Sequence, residues 1–167
     1  DDGTYTATYT AGTLATVAIV QASATTSGDV NVGSVTLDPG APVEISLVTA
    51  APETISGNGI ATATVTATIV DAFDNPVPGL SGFTASVTDG VGSAGDVTDN
   101  GDGTYSAVYA SELVTEDGTA TVEMVHGPHT GDVAIALSAE PAAETSVMAL
   151  QGSALLAGGG AQAPDGL

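Results

Sequence analysis

Residues 60–70 read Ile60-Ala61-Thr62-Ala63-Thr64-Val65-Thr66-Ala67-Thr68-Ile69-Val70. Threonines alternate strictly with alanine, valine or isoleucine through this stretch, and a period of two is typical of a strand that buries one face. The alternation predicts that Val65, Ala67 and Ile69 face a core and that the threonines face outward. The segment therefore predicts a long strand in an all-β protein.

Further candidate strands lie between turn signals on both sides of this segment. Val, Ile, Thr and Tyr favour strands, whereas Gly, Asp and Asn favour turns. The candidates in chain order are Val43–Thr49, Ile60–Val70, Phe83–Val87, a weak strand near Gly92–Val97, Gly103–Ala110, Thr119–Val125 and Asp132–Ser138. Seven short strands within about 100 residues predict an immunoglobulin-like antiparallel β-sandwich. The sequence has no Cys and no Trp, so the domain is not of the antibody type.

The charge composition excludes several classes of function. The 167 residues include 20 Asp and Glu and no Lys or Arg, which gives a formal net charge of −20. Such a chain cannot neutralise nucleic-acid phosphates or bind a membrane through a basic patch. It also lacks an apolar run of about 18 residues, so we expect no membrane-inserted helix. Because Lys, Cys and nucleophile–base motifs are missing, we expect a non-enzymatic protein.

The sequence repeats itself with a period of 100 residues. Residues 2–9, Asp2-Gly3-Thr4-Tyr5-Thr6-Ala7-Thr8-Tyr9, recur at 102–109 with six of eight positions identical. Leu37 matches Leu137 at the same offset. Internal repetition at a fixed period is typical of tandem-repeat proteins.

The repeat divides the chain into three parts. Residues 1–38 are predicted to be the C-terminal part of one immunoglobulin-like repeat, residues 39–138 a complete repeat, and residues 139–167 the start of a third. The two junctions are short and contain proline, which favours an extended rod. Because the end pieces do not make up whole repeats, we expect the sequence to be a window on a longer chain or fibre.

Three stretches of the complete unit carry a family resemblance. Residues 60–69 are an alternating Thr/Ala/Val strand, residues 71–79 read Asp-Ala-Phe-Asp-Asn-Pro-Val-Pro-Gly, and residues 99–105 end in Asp-Gly-Thr-Tyr. The unit resembles bacterial Ig-like domains of the invasin/intimin type, with Asp74 where that family usually has Gly in its Asp-x-x-Gly-Asn-Pro-Val-x-Gly turn. Filamin-type repeats share the Asp-Gly-Thr-Tyr motif. The resemblance implies sandwich repeats that are stacked in the stalks of surface adhesins.

Three functions follow as hypotheses. The first is an extracellular, cell-surface stalk or adhesin spacer, or part of a fibre, whose partners are adjacent Ig-like repeats. The second is a self-assembling filament subunit that joins like subunits by strand addition or lateral packing. The third is a glycan-binding accessory module of a secreted enzyme or phage fibre. Exposed aromatic residues on loops would favour it, and the candidates are Phe73 and Phe83, of which Phe83 is expected to lie in the core.

The candidate metal ligands are acidic residues in two turns. They are Asp71, Asp74, Asp96, Asp99 and Asp102. Hard cations such as Ca²⁺ take six to eight oxygen ligands from loops of this kind, so these residues are candidate Ca²⁺ ligands, although their spacing does not match an EF-hand. The alternative is turn chemistry, because Asp and Asn bind the backbone two residues further on.

Two other groups of side chains are candidate sites or core residues. His126 and His129 flank a Gly-Pro turn and, with Asp132, offer two nitrogens and an oxygen to a metal. The alternative is that they are ordinary polar residues of a loop. Tyr105 and its repeat counterpart Tyr5 are predicted to fill core space and to bond a loop carbonyl.

Overall fold

The computed structural model describes residues 4–24 and 28–139, except for the side chains of residues 22–24 and 28–32. These residues form eleven β-strands and no helix, so none of them belongs to a helix that could cross a membrane. The strands are β1 Thr16–Ala24, β2 Gly28–Leu37, β3 Glu44–Ala51, β4 Thr54–Gly57, β5 Thr62–Val70, β6 Phe83–Asp89, β7 Ser93–Ala94, β8 Thr98–Asp99, β9 Thr104–Ala110, β10 Gly118–His126 and β11 His129–Ala139. The predicted third unit lies outside the described residues except for Ala139.

Strands β3 to β11 form two sheets that enclose one core. One sheet has the order β4-β11-β10-β6 and the other β3-β5-β9-β7, with β8 also paired to β9. Adjacent strands are antiparallel apart from the parallel pair β4 and β11. Both sheets contribute to the largest fully buried side chains, which are Tyr105, Tyr109, Ile69, Met124, Ile135, Val65 and Val122. The prediction of an all-β, immunoglobulin-like sandwich is confirmed.

The alternating segment forms the centre of its sheet. In β5 the side chains of Val65, Ala67 and Ile69 are completely buried, as the period of two predicted. The strand begins at Thr62 rather than Ile60, because the preceding residues form a turn. In this turn the N–H groups of Ile60 and Ala61 donate to Asn58 Oδ1.

No local sequence pattern predicts β4. This strand has four residues and pairs in parallel with the end of β11, where Ile55 lies opposite Leu137. The weak strand predicted near residues 92–97 is reduced to the two residues of β7. Elements this short do not show a period, and their pairing is determined by the strands beside them.

Strands β1 and β2 form a separate two-stranded antiparallel sheet. Thr16 lies opposite Leu37, as Gly118 lies opposite Leu137 in the β10–β11 hairpin. The prediction that Tyr5 fills core space is wrong, because its side chain is 95% exposed. Its counterpart Tyr105 is covered by the stacked ring of Phe83, and no described residue covers Tyr5 in that way.

Candidate functional site

The turn after β5 is built around one carboxylate. The Asp71 N–H donates to the Asn75 carbonyl, and the Asp74 N–H donates to the Asp71 carbonyl. Asp74 has a φ of 62°, in the left-handed region that Asp tolerates better than most residues. This explains how Asp74 can occupy a position where the family that the unit resembles usually has Gly.

The side chain of Asp71 is almost fully buried and accepts hydrogen bonds on both oxygens. Oδ1 accepts from the N–H groups of Phe73 at 2.9 Å and Asn75 at 3.0 Å, and Oδ2 accepts from the N–H of Gly40 at 2.8 Å. The amide Nδ2 of Asn75 donates to both oxygens. Because the chain has no Lys or Arg, N–H donors stabilise this buried charge in place of an ion pair.

These donors change the acidity of Asp71. The hydrogen bond from Asn75 Nδ2 contributes most, and together with the backbone N–H groups it lowers the pKa of Asp71 from 3.8 to about 2, against the opposing effect of burial. Hydrogen bonds to the charged form favour that form. Asp71 is therefore ionised throughout the physiological pH range.

Asn75 connects this turn to the segment that precedes β1. Its Nδ2 donates to the carbonyl of Thr13 at 2.8 Å, and its Oδ1 accepts from the N–H of Ala15 at 3.0 Å. The side chain is only 4% exposed. Residue 75 belongs to the turn that carries the family resemblance, but no sequence pattern indicates this contact.

The other acidic candidates lie in a second turn or apart from both. Asp99 accepts from the N–H groups of Gly79 and Gly101, each at 2.8 Å. Asp102 accepts from the hydroxyl and N–H of Thr104, which lower the pKa of Asp102. The bonds from Gly101 and Thr104 are the local turn chemistry of the alternative interpretation, whereas the bond from Gly79 joins this turn to the loop before β6.

The structure brings Asp71 and Asp74 into one turn and Asp99 and Asp102 around another, while Asp96 lies between β7 and β8. Across residues 4–24 and 28–139 no group of three or more His, Asp or Glu side chains is arranged to hold a metal ion. A Ca²⁺ site at these five residues stays a prediction.

The histidines lie at the tip of the β10–β11 hairpin. His126 and His129 are the last paired residues on either side of the turn, and the ring of His126 stacks on Phe83 with the ring centroids 4.9 Å apart. Asp132 lies further along β11, opposite Glu123. The His126 side chain therefore has a packing role in the hairpin.

Tyr105 connects the core to the loop before β6. Its hydroxyl donates to the carbonyl of Val77 at 2.8 Å and accepts from the N–H of Leu80 at 3.0 Å, and burial raises its pKa. The predicted bond to a loop carbonyl is confirmed. Phe83 stacks on Tyr105, whereas Phe73 is 61% exposed, so Phe73 is the accessible one of the two aromatic residues considered for glycan contact.

Comparison with known proteins identifies the family. Residues 43–140, which are 98 of the 167 residues, match the family described as Invasin, domain 3. The chain belongs to the invasin domain 3 family. The predicted invasin-type Ig-like domain is thereby confirmed. Among curated proteins, none matches the chain.

Three solved bacterial proteins are similar to this invasin-type chain. FdeC, an Escherichia coli adhesin, is 24% identical with a TM-score of 0.58 over 77% of this chain and 42% of its own, which supports the fold. Invasin, a bacterial integrin-binding protein, is 29% identical with a TM-score of 0.48 over 56% of this chain and 19% of its own. The Yersinia pseudotuberculosis adhesin InvE is 30% identical with a TM-score of 0.43 over 56% of this chain and 26% of its own. This chain thus covers less than half of each of these proteins.

Proposed function

We propose that this chain is a non-enzymatic structural segment of an extracellular bacterial adhesin, where it acts as a stalk spacer at the cell surface. Its family membership and its likeness to FdeC support a role of this kind. Its partners in this role are the Ig-like repeats before and after it. The 100-residue repeat of the sequence, together with a two-stranded sheet that precedes the sandwich, is the observation that carries the proposal.

The β1–β2 hairpin supports this division into units. Ala18 lies opposite Val35, as Ala120 lies opposite Ile135 in the complete unit. The two hairpins therefore share the same pairing register near their ends, at positions that lie 100 residues apart in the second strand and 102 residues apart in the first. This agreement supports residues 1–38 as the C-terminal part of a preceding repeat.

A replacement experiment tests the spacer role in the protein that contains this chain. We expect deletion of residues 39–138 to shorten the surface projection and to reduce adhesion of cells that display the protein. Replacement of the same residues by an unrelated immunoglobulin-like repeat of similar length is expected to restore adhesion. Antibody labelling of intact cells checks that each variant reaches the surface.

The alternatives give different outcomes in this experiment. A glycan-binding module would lose adhesion on replacement as well as on deletion, because the foreign repeat has none of its contact residues. A filament subunit would stop assembling in both variants, which electron microscopy of the cell surface would show. Either outcome would contradict the spacer role.

A further inference from the structure

The turn after β5 is the meeting point of three segments of the chain. Asn75 contacts Thr13 and Ala15, which come just before β1, while Asp71 contacts Gly40, which lies between β2 and β3. The segments just before and just after the β1–β2 hairpin are therefore both hydrogen-bonded to one turn of the sandwich.

The side chain of Asn75 has a bonding partner for each of its polar groups. Its Oδ1 accepts from Ala15, and its Nδ2 donates to the carbonyl of Thr13 and to the carboxylate of Asp71. A buried amide that is fully satisfied has one preferred orientation, because any rotation leaves buried polar groups without partners. Asp71 thus determines the direction in which Asn75 presents its amide to the hairpin.

The hairpin side of this contact uses only backbone groups. The carbonyl of Thr13 and the N–H of Ala15 are present whatever side chains these positions carry. In the complete unit, residues 115–117 directly precede β10 as residues 13–15 directly precede β1. The same backbone groups are therefore available in repeats of different sequence.

We propose that Asp71 and Asn75 form an inter-repeat clamp, which fixes the orientation of the preceding repeat, and that residues 115–117 are the docking segment for the corresponding turn of a following repeat. The inference rests on the proposed stalk function and specifies it, because a clamped spacer projects in a fixed direction. The clamp requires no cation, since N–H donors occupy both oxygens of Asp71.

Residual dipolar couplings measured on the intact 167-residue chain test the clamp. In the wild type, residues 16–24 and 44–139 are expected to share one alignment tensor. Asn75→Ala is expected to reduce the tensor magnitude of the hairpin roughly twofold or more, while that of the sandwich is unchanged. Asn58→Ala is the matched control, because Asn58 also accepts two backbone N–H groups, but within its own turn.

A second pair of variants tests the clamp from the hairpin side. Ala15→Pro removes the N–H that Asn75 accepts and leaves the sandwich sequence intact, and Ala11→Pro controls for the added ring. We expect only Ala15→Pro to give the hairpin an alignment tensor different from that of the sandwich. If Asn75→Ala fails to fold, this pair of variants tests the clamp on its own.

Three results would overturn the clamp. They are separate tensors for hairpin and sandwich in the wild type, a common tensor that appears only after Ca²⁺ is added, and a hairpin tensor that Ala15→Pro leaves unchanged. Each of these results would leave the spacer role to be decided by the replacement experiment, which does not depend on a fixed orientation.

Discussion

At the scale of single residues, the burial of Val65 gives the most direct check of the strand register. Its side chain lies between the two sheets with no exposed surface. Val65→Asp places an unpaired charge there, and no Lys or Arg exists to compensate it. We expect a loss of several kcal/mol, comparable with the whole stability of a domain of this size.

The neighbouring residue provides the control for this variant. Thr64 is exposed on the opposite face of the same strand, so Thr64→Asp is expected to change the free energy of unfolding by less than about 1 kcal/mol. Urea unfolding of both variants measures the difference. Equal losses would show that the faces of β5 are assigned wrongly.

The carboxylate of Asp71 predicts a dependence of stability on acid. Its pKa is lowered on folding from 3.8 to about 2, so its stabilising effect is present above pH 4 and is lost as the pH falls toward 2. Protonation of the other carboxylates over the same pH range weakens their mutual repulsion and so stabilises the folded chain. This effect opposes the loss of stability at Asp71.

Comparison with Asp71→Asn separates these two effects. The variant lacks the titrating group at position 71 but keeps nearly all of the remaining negative charge. Between pH 5 and pH 2 the melting temperature of the wild type is expected to fall relative to that of the variant. Parallel melting curves for the two proteins over this range would contradict a lowered pKa at Asp71.

At the scale of elements, the sequence predicted the strands that cross the whole sandwich. Strands β5, β10 and β11 each bury one face over nine or more residues, so a period of two can be recognised in them. Strand β4 was missed because its position depends on its pairing with β11, which no local pattern reveals.

The candidate site was predicted in part for a similar reason. The residues from Asp71 onward were recognisable as a turn, since Asp, Asn, Pro and Gly have characteristic turn roles. The contact of Asn75 with Thr13 and Ala15 was not predictable, because it joins positions about 60 residues apart through backbone groups. Backbone groups are the same at every non-proline residue, so they leave no trace in the sequence.

The Asp-Gly-Thr-Tyr motif gives a prediction at the entry to β9. Gly103 has a φ of 86°, and a Cβ at this position would lie 2.8 Å from the carbonyl carbon of Pro76. Gly101 has a nearly equal φ of 81°, but a Cβ there would meet no atom within 4 Å. Substitution by Ala would therefore cause similar backbone strain at both positions, but only at Gly103 would the added Cβ clash with Pro76.

Gly103→Ala is therefore expected to destabilise the domain more than Gly101→Ala does. The shared backbone strain costs about 1–2 kcal/mol, and the clash with Pro76 is expected to add roughly 1–3 kcal/mol for Gly103 alone. Thermal unfolding of both variants measures the two contributions. Equal destabilisation would show that the turn before β9 does not pack against Pro76.

At the scale of the whole molecule, negative charge without counter-charge is the dominant electrostatic feature. The chain has a formal net charge of −20, and its histidines are the only side chains that can become positive. Asp71, Asp99 and Asp102 use N–H and hydroxyl donors from turns. Hydrogen bonds of this kind hold individual carboxylates in place but do not reduce the repulsion between distant ones.

Self-repulsion of this size predicts that stability depends on salt. The Debye length is about 10 Å at 0.1 M salt, so NaCl screens most pairs of exposed carboxylates and is expected to raise the melting temperature.

The predicted Ca²⁺ site would add a further rise in melting temperature in millimolar CaCl₂, beyond that in NaCl of equal ionic strength. MgCl₂ is the control for divalent charge, because Mg²⁺ requires a smaller and stricter geometry. Equal shifts in CaCl₂ and MgCl₂ would contradict a specific Ca²⁺ site, and a melting temperature that is indifferent to all three salts would contradict the self-repulsion itself.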